Sequence, residues 1–172
     1  MARETTDAMR GHLARICGQA ANWFSPEDRE FFLDTHAERL VDHAIYGHGG
    51  SGSFYLYGTP YTHWEDGATV TDPNGEAVDG AFDALTGVFS PDEPNASPVL
   101  YLSGTSFDIY AAAADLLDGA AASNAASFDV SVDGNSYSRS QISKAFTDLA
   151  SSYRKRIRAK LGQSSREDEQ WV

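Results

Sequence analysis

The chain has 172 residues, 41% hydrophobic and 22% charged, a composition typical of a globular protein with a real core. Its formal net charge of −12 argues against a protein that reads nucleic-acid sequence, because such proteins are usually basic. The chain has no run of about eighteen apolar residues, and its first residues lack the apolar core of a secretory signal, so we expect no membrane association.

Cys17 is the only cysteine, which excludes an intrachain disulfide. It falls on the apolar face of a helix predicted over residues 6–21, together with Met9, Leu13 and Ile16. We therefore predict a buried, inert thiol rather than a nucleophile. The single cysteine is consistent with folding in a reducing cytoplasm.

A second helix is predicted to begin at Ser25-Pro26-Glu27-Asp28, because serine is a good N-cap, proline fits the first turn and acidic residues favour that turn. Apolar residues continue at helical spacing as far as Ile45, and Gly47 is a natural C-terminal stop. The pattern predicts a helical hairpin over residues 6–46.

Residues 54–102 change character and predict a small β-structure. Short strand-like runs occur at residues 55–57, 68–71, 76–78, 85–89 and 99–102. Asn74-Gly75 lies between two of these runs and strongly indicates a hairpin.

The remainder of the chain predicts helix, strand and helix. A third helix is expected from residue 105 to about 122, and Phe128, Val130 and Val132 then alternate with polar residues as in a half-buried strand. The capping box Ser138–Gln141 opens a last helix, which stops at Gly162. We expect one domain over residues 1–162, with a β insertion at about 54–102.

Residues 163–172 are too polar to fold alone and predict an extended tail. Trp171 lies second from the end of this tail, and we interpret it as an anchor for a partner's pocket.

The sequence gives no pattern for a catalytic, cofactor or metal site. The five histidines form no His-x-x-x-His pair, and only one cysteine is available to a zinc ion. Asp129-x-Ser131-x-Asp133-Gly134 imitates the start of a calcium loop, but the twelfth position is Ser140, where such a loop needs glutamate. We expect neither an enzyme nor a bound cofactor.

Charge is unevenly spread along the chain. Residues 1–150 carry a formal charge of −15, and residues 154–160 then supply five cations. One interpretation is contact with another protein or with an acidic copy of the same chain. The other is that these cations meet the dipole at a helix C-terminus, which contributes about 0.3–1 kcal/mol each. The sequence leaves both open.

The order of features between Thr105 and Lys160 resembles the head–tail connector (adaptor) proteins in the necks of long-tailed bacteriophages. An acidic residue and an alanine run on a helix are followed by a strand and turn, and then by a helix with a Tyr-Arg pair. The matching residues are Asp108, Ala112, Ala113, Ala114, Phe128, Asp129, Asp133, Gly134, Arg139, Ser140, Gln141, Tyr153 and Arg154.

The resemblance implies a mainly α (α+β) fold, with a four-helix adaptor-like core, a β-hairpin or small β-structure inserted mid-chain and an extended C-terminal tail. It implies a structural protein of the virion neck, made in the host cytoplasm, that forms a ring of usually twelve copies. The ring would join the portal protein to a stopper or tail-side neck protein, with the capsid protein as a further neighbour. Double-stranded DNA would pass through its channel without specific binding.

The same resemblance, with the charge and the tail, marks candidate contact residues. The candidate portal or subunit interface comprises Arg139, Gln141, Tyr153, Arg154, Lys155, Arg156, Arg158 and Trp171. The candidate hairpin tip that would contact the next neck component comprises Asp72, Asn74 and Gly75. The alternatives are a stopper or tail-completion protein, a monomeric acidic protein-binding domain and, more remotely, a hydrolase.

Overall fold

The computed structural model describes residues 4–48, 54–94, 97–125, 130–132, 135–137 and 139–157. The helices in this part of the chain are α1 (Glu4–Cys17), a 3-10 helix (Gly18–Trp23), α2 (Pro26–Thr35), α3 (Ile109–Ala125) and α4 (Arg139–Arg154). The strands are β1 (Ala37–His48), β2 (Leu56–Gly58), β3 (Thr69–Thr71), β4 (Gly80–Asp83), β5 (Val88–Pro91), β6 (Val99–Phe107), β7 (Val130–Val132) and β8 (Asn135–Tyr137).

A six-stranded antiparallel sheet in the order β3-β6-β1-β2-β5-β4 dominates the first two-thirds of the chain. The expected four-helix core with a small β insertion is therefore wrong, and the protein is an α+β fold with a large sheet. The predicted second helix accounts for most of the error. It begins as expected but ends at Thr35, and residues 37–48 form β1 at the centre of the sheet.

The start of α2 confirms the local prediction. The Ser25 side chain accepts a hydrogen bond from the Asp28 backbone N–H, and the Asp28 carboxylate accepts one from the Ser25 N–H. This reciprocal capping box satisfies two backbone donors that the helix itself leaves without partners.

Most other predicted elements are present with shifted ends, but the run at 76–78 forms only an isolated bridge between Ala77 and Thr71, and β4 was not predicted. The runs at 68–71 and 99–102 became β3 and the first half of β6, but β6 continues to Phe107, so α3 begins at Ile109 rather than at residue 105. The β7–β8 pair and α4 occupy the predicted region. Phe128, Asp129, Asp133, Gly134, Ser138, Gly162 and the tail 163–172 lie outside the described residues.

The sheet curls until its two ends are joined through residues 63–65. On one side the Glu65 N–H donates to the Thr105 carbonyl at 2.8 Å, which attaches this segment to β6. On the other side the Trp64 N–H donates to the Ala84 carbonyl at 2.7 Å, just beyond β4. Closing the sheet in this way pairs backbone groups that an open edge would expose. Residues 37–107 are called the barrel below.

The interior of the barrel is a compact apolar cluster. Trp64 is fully buried in it, and its indole N–H donates to the Tyr61 carbonyl at 2.9 Å. The other buried members are Ile45, Tyr57, Tyr61, Val70, Phe89, Leu100 and Leu102.

A second cluster lies between the helices, which we call the helical layer. Its buried side chains include Met9, Leu13, Cys17, Leu33, Leu116 and Leu117. Four consecutive alanines, residues 111–114, are buried on α3, and their small side chains let neighbouring helices approach closely. No helix among the described residues is long and apolar enough to cross a bilayer.

Two glycines with the same backbone handedness provide a matched test of the packing beside Trp64. Gly87 and Gly75 both have positive φ, but a Cβ at Gly87 would clash with the Tyr61 carbonyl oxygen, whereas a Cβ at Gly75 meets no atom within 4 Å. Gly75→Ala should therefore lower the free energy of unfolding by about 1–2 kcal/mol, from left-handed strain alone. Gly87→Ala should lower it by about 1–3 kcal/mol more, because of overpacking. Urea denaturation measures both, and equal losses would contradict this account of the barrel's closure.

Candidate assembly surfaces

Four residues at the start of α3 and within it belong to the resemblance to phage connectors, and they stabilise the helical layer. The Asp108 carboxylate caps α3 by accepting a hydrogen bond from the Ala111 N–H at 3.1 Å. Its own N–H donates to the His36 carbonyl at 3.0 Å. Ala112, Ala113 and Ala114 are buried in the helical core. These positions therefore act on the fold and are not exposed for a partner.

Tyr153 and Arg154 attach α4 to the rest of the helical layer. The Tyr153 hydroxyl donates to the Ile16 carbonyl at 2.8 Å, and burial raises the pKa of that phenol. The Arg154 guanidinium pairs with Asp118 on α3, a hydrogen bond that raises the pKa of the guanidinium. One carboxylate oxygen of Asp115 lies 2.7 Å from His36 Nε2. The other lies 3.9 Å from a guanidinium nitrogen of Arg154.

The fold places the remaining residues of the predicted interface at both ends of α4 and beyond it. The Arg156 guanidinium carbon lies 5.6 Å from the centroid of the Tyr110 ring. Gln141 is exposed on α4, and Lys155 is exposed directly after its end. Arg139 begins α4. Arg158 and Trp171 lie outside the described residues. Arg154, Lys155 and Arg156 are all exposed, and residues 158–160 of the predicted basic stripe lie outside the described residues.

The predicted hairpin tip is a turn organised by its own side chains. One Asp72 oxygen accepts from the backbone N–H groups of Asn74 and Glu76, each at 2.8 Å, and Gly75 takes the left-handed conformation. Led by the Glu76 hydrogen bond, these donors lower the pKa of Asp72. The three residues explain the turn, and their contact with a neck component stays a prediction.

An open acidic groove of about 620 Å³ lies beside this turn. Its lining includes the carboxylates of Asp72, Glu76, Asp79, Asp92 and Glu93. Among the described residues, no group of three or more histidine, cysteine or carboxylate side chains has the arrangement of a metal site.

The outer barrel face is an exposed apolar surface that the sequence reasoning missed. The side chains on it come from strands β1, β2, β5 and β6, on the side opposite the buried Ile45, Tyr57, Phe89 and Leu100. The register places Ala44, Tyr46, Leu56, Val88, Val99 and Tyr101 on this face. Tyr46 is 62% exposed and Leu56 is 45% exposed. The alternation that identifies this face is readable only once residues 37–48 are known to be a strand.

A second exposed apolar cluster, which we call the Trp23 patch, lies on the helical layer. Trp23 and Phe146 pack edge to face with ring centroids 5.5 Å apart. Ile142 lies one helical turn before Phe146 on the same side of α4. Trp23 is 47% exposed and Ile142 is 45% exposed. Large apolar side chains grouped at a surface mark interaction sites more often than scattered single ones do.

The barrel and the segment that contains α4 differ in formal charge. The barrel contains ten carboxylates against one cation, Arg39, which gives −9. Residues 139–157, which contain α4, carry five cations against one carboxylate, which gives +4. Two of these five cations are engaged within the chain, Arg154 with Asp118 and Arg156 over the Tyr110 ring.

Burial sets the chemistry of the groups in the interior. Cys17 is buried, as predicted, and burial raises the pKa of its thiol to about 12. Burial also lowers the pKa of His12, which Arg15 lowers further, and the pKa of His43, an effect that Glu38 partly opposes.

Replacement by glutamine should distinguish Arg154, the last residue of α4, from the neighbouring Lys155. Arg154→Gln removes the pair with Asp118, so the free energy of unfolding should fall by about 0.5–1 kcal/mol, and less at high salt. Lys155→Gln should leave it within about 0.3 kcal/mol of the parent, since ordinary surface changes have small effects. Chemical denaturation at low and high ionic strength measures both. A salt-insensitive or absent Arg154 effect would show that the pair does not stabilise the layer.

Acidification should destabilise the barrel through His43. Its ring packs edge-on against Tyr61 with centroids 4.9 Å apart, and its lowered pKa means that the unfolded chain binds the proton more readily. Stability is therefore full above the ordinary pKa of 6.5 and is lost as pH falls below it. His43→Phe should flatten the fall in unfolding free energy between about pH 7.5 and about pH 5.5. An unchanged slope in that variant would show that a group other than His43 causes the loss of stability on acidification.

Comparison with known proteins leaves the function to be argued from this chain alone. No protein-family model matches it, and neither a curated protein nor a solved structure does.

Proposed function

We propose that this protein is a structural subunit of a virion neck, of the head–tail connector type. In this role it forms a ring between the portal at the capsid vertex and the next neck component, and DNA passes through the ring. The observation that carries the proposal is that residues of the resemblance contribute to one and the same part of the fold. Asp108, the alanine run 112–114, Tyr153 and Arg154 lie far apart in sequence yet all assemble one helical layer.

The barrel is the part of this protein that departs from the family's mainly helical pattern. It includes residues 37–48, which were expected to be helical, as well as the region at about 54–102 where a small β-structure was expected. In the proposed ring the barrel is a major part of each subunit beside the helical layer. The outer barrel face and the Trp23 patch on the helical layer suit an assembly protein, since exposed apolar surfaces mark contacts with other proteins.

The acidity of the barrel fits the passage of DNA. A wall with ten carboxylates and one cation repels phosphates, so a duplex would slide past it without binding. The proposal assigns the protein no catalytic step and no cofactor.

A stopper or tail-completion protein is the second candidate, favoured by the six-stranded barrel itself. The two candidates differ in position. A connector contacts the portal directly, whereas a stopper lies on the tail side of the connector.

Purified particles of the virus that encodes the chain provide the test. Mass spectrometry should detect the protein in virions, and a reconstruction should place a ring of it against the portal. Deleting residues 163–172 should leave the urea unfolding midpoint unchanged but yield particles with incomplete necks, because the tail is assigned to docking. Absence of the protein from virions would refute both candidates, and a ring without portal contact would select the stopper.

A further inference from the structure

We propose that Asn74 is a site of spontaneous deamidation, which converts it to aspartate or isoaspartate, and that Asp72 sets the rate of this conversion. This chemistry is independent of the proposed neck role, because it needs only the Asn74-Gly75 sequence and the contacts of the turn that contains it.

Asn74 is the asparagine of this chain that is best placed to react. Deamidation begins when the backbone nitrogen of the next residue attacks the side-chain carbonyl, and a side chain on that next residue hinders the attack. Asn74 is the only asparagine in the sequence that glycine follows. It is exposed, and the space beside the Gly75 Cα is open, since an added Cβ would meet no atom within 4 Å. By contrast, Asn22 precedes the bulky Trp23, and Asn124 is buried on α3.

The reaction needs water as its only co-reactant. The Gly75 nitrogen loses its proton to solvent base and bonds to the Asn74 side-chain carbonyl carbon, while the side-chain nitrogen takes up a proton from water and leaves as ammonia. The cyclic imide then adds water. Cleavage of the newly formed bond gives aspartate, and cleavage of the original peptide bond gives isoaspartate, in which the backbone runs through the side chain. Both products carry a carboxylate in place of the amide.

In the folded turn, Asp72 engages both of the groups that must react. The Asn74 side-chain amide donates to Asp72 Oδ2 at 3.0 Å, and the Gly75 N–H donates to the Asp72 carbonyl at 3.0 Å. The Asn74 backbone N–H donates to Asp72 Oδ1 at 2.8 Å, which holds the residue against the same carboxylate. The attack therefore requires the turn to open, and the hydrogen bonds that opening breaks control how often it opens.

Deamidation also changes the contact that controls it. The product has a second carboxylate in place of the Asn74 amide, which donates to Asp72 at 3.0 Å in the parent turn. Two carboxylates this close repel each other, and the adjoining groove is already lined with acidic side chains. The modified turn should consequently be less stable than the parent turn.

Incubation of the full-length protein in mildly alkaline buffer, followed by peptide mass spectrometry, measures the reaction at each asparagine. Deamidation should be faster at Asn74 than at Asn22 or Asn124, should accelerate as pH rises, and should be faster still in guanidinium chloride, which opens the turn. A rate at Asn74 no higher than that at Asn22 would overturn the assignment of the site. Equal rates at Asn74 in native buffer and in denaturant would overturn its protection by the fold.

The substitution Asp72→Ala tests the control of the rate. It removes both side-chain hydrogen bonds to Asn74 and should accelerate deamidation about threefold to tenfold in native buffer. Asp79→Ala is the matched control, because it removes the same charge from the same groove and its described hydrogen bonds do not involve Asn74 or Gly75. It should change the rate by less than about twofold. Equal effects of the two variants, or no acceleration by Asp72→Ala, would refute the role of Asp72.

The effect of the modification on stability is measured with Asn74→Asp, which reproduces the aspartate product. Its urea midpoint should be lower than that of the parent at low ionic strength, and the difference should shrink at high salt, because salt screens the added repulsion. Asn22→Asp adds the same charge away from Asp72 and is the control. An equal loss of stability in both variants, or none in Asn74→Asp, would contradict the predicted effect on the turn.

Discussion

The structure depends on one continuous segment, β6 followed by α3, which belongs to both apolar clusters. Leu100 and Leu102 of β6 are buried in the barrel, whereas Phe107, the last residue of the same strand, is buried in the helical layer. Asp108 then turns the chain, caps α3 and bonds the His36 carbonyl at the start of β1. The barrel and the helical layer consequently share a covalent and hydrogen-bonded junction, so the position of one constrains the position of the other.

The wrong prediction for residues 37–48 has a specific cause. In β1 the pairing with β6 shifts between Leu40 and His43, where two residues, Val41 and Asp42, oppose Ser103 alone. This bulge adds one residue to the alternation, so apolar side chains occur at 40, 41, 44 and 45, which is also the spacing of an amphipathic helix. The Asp42 backbone has positive φ, and its N–H donates a hydrogen bond to the Ser103 hydroxyl oxygen at 2.9 Å, which stabilises the bulge. Periodicity alone could not separate the two structures.

The sequence predicted structure correctly where the stabilising interactions join residues that are close in sequence. The Ser25 capping box and the Asp72–Gly75 turn are each completed by residues within a few positions, and both were predictable. The closure of the barrel was not, because residue 64 pairs with residues 84 and 106. The outer barrel face was missed for the same reason, since it exists only after strands distant in sequence have been placed side by side. The Tyr-Arg pair on α4 was predicted to be an interface; within the chain its atoms contact Ile16 and Asp118, and the interface itself stays a prediction.

The contacts of Tyr153 and Arg154 within the chain affect what the basic end of α4 can contribute to binding a partner. If residues 154–156 formed a docking stripe, electrostatics alone would have to hold a partner, and exposed charge pairs contribute little in water. Folding instead commits Arg154 to the α3 carboxylates and places Arg156 over Tyr110, while the large exposed apolar groups lie near the start of α4 and on the barrel. Apolar burial at side chains such as Tyr46 and Trp23 is therefore a larger source of binding free energy on this molecule than the basic end of α4.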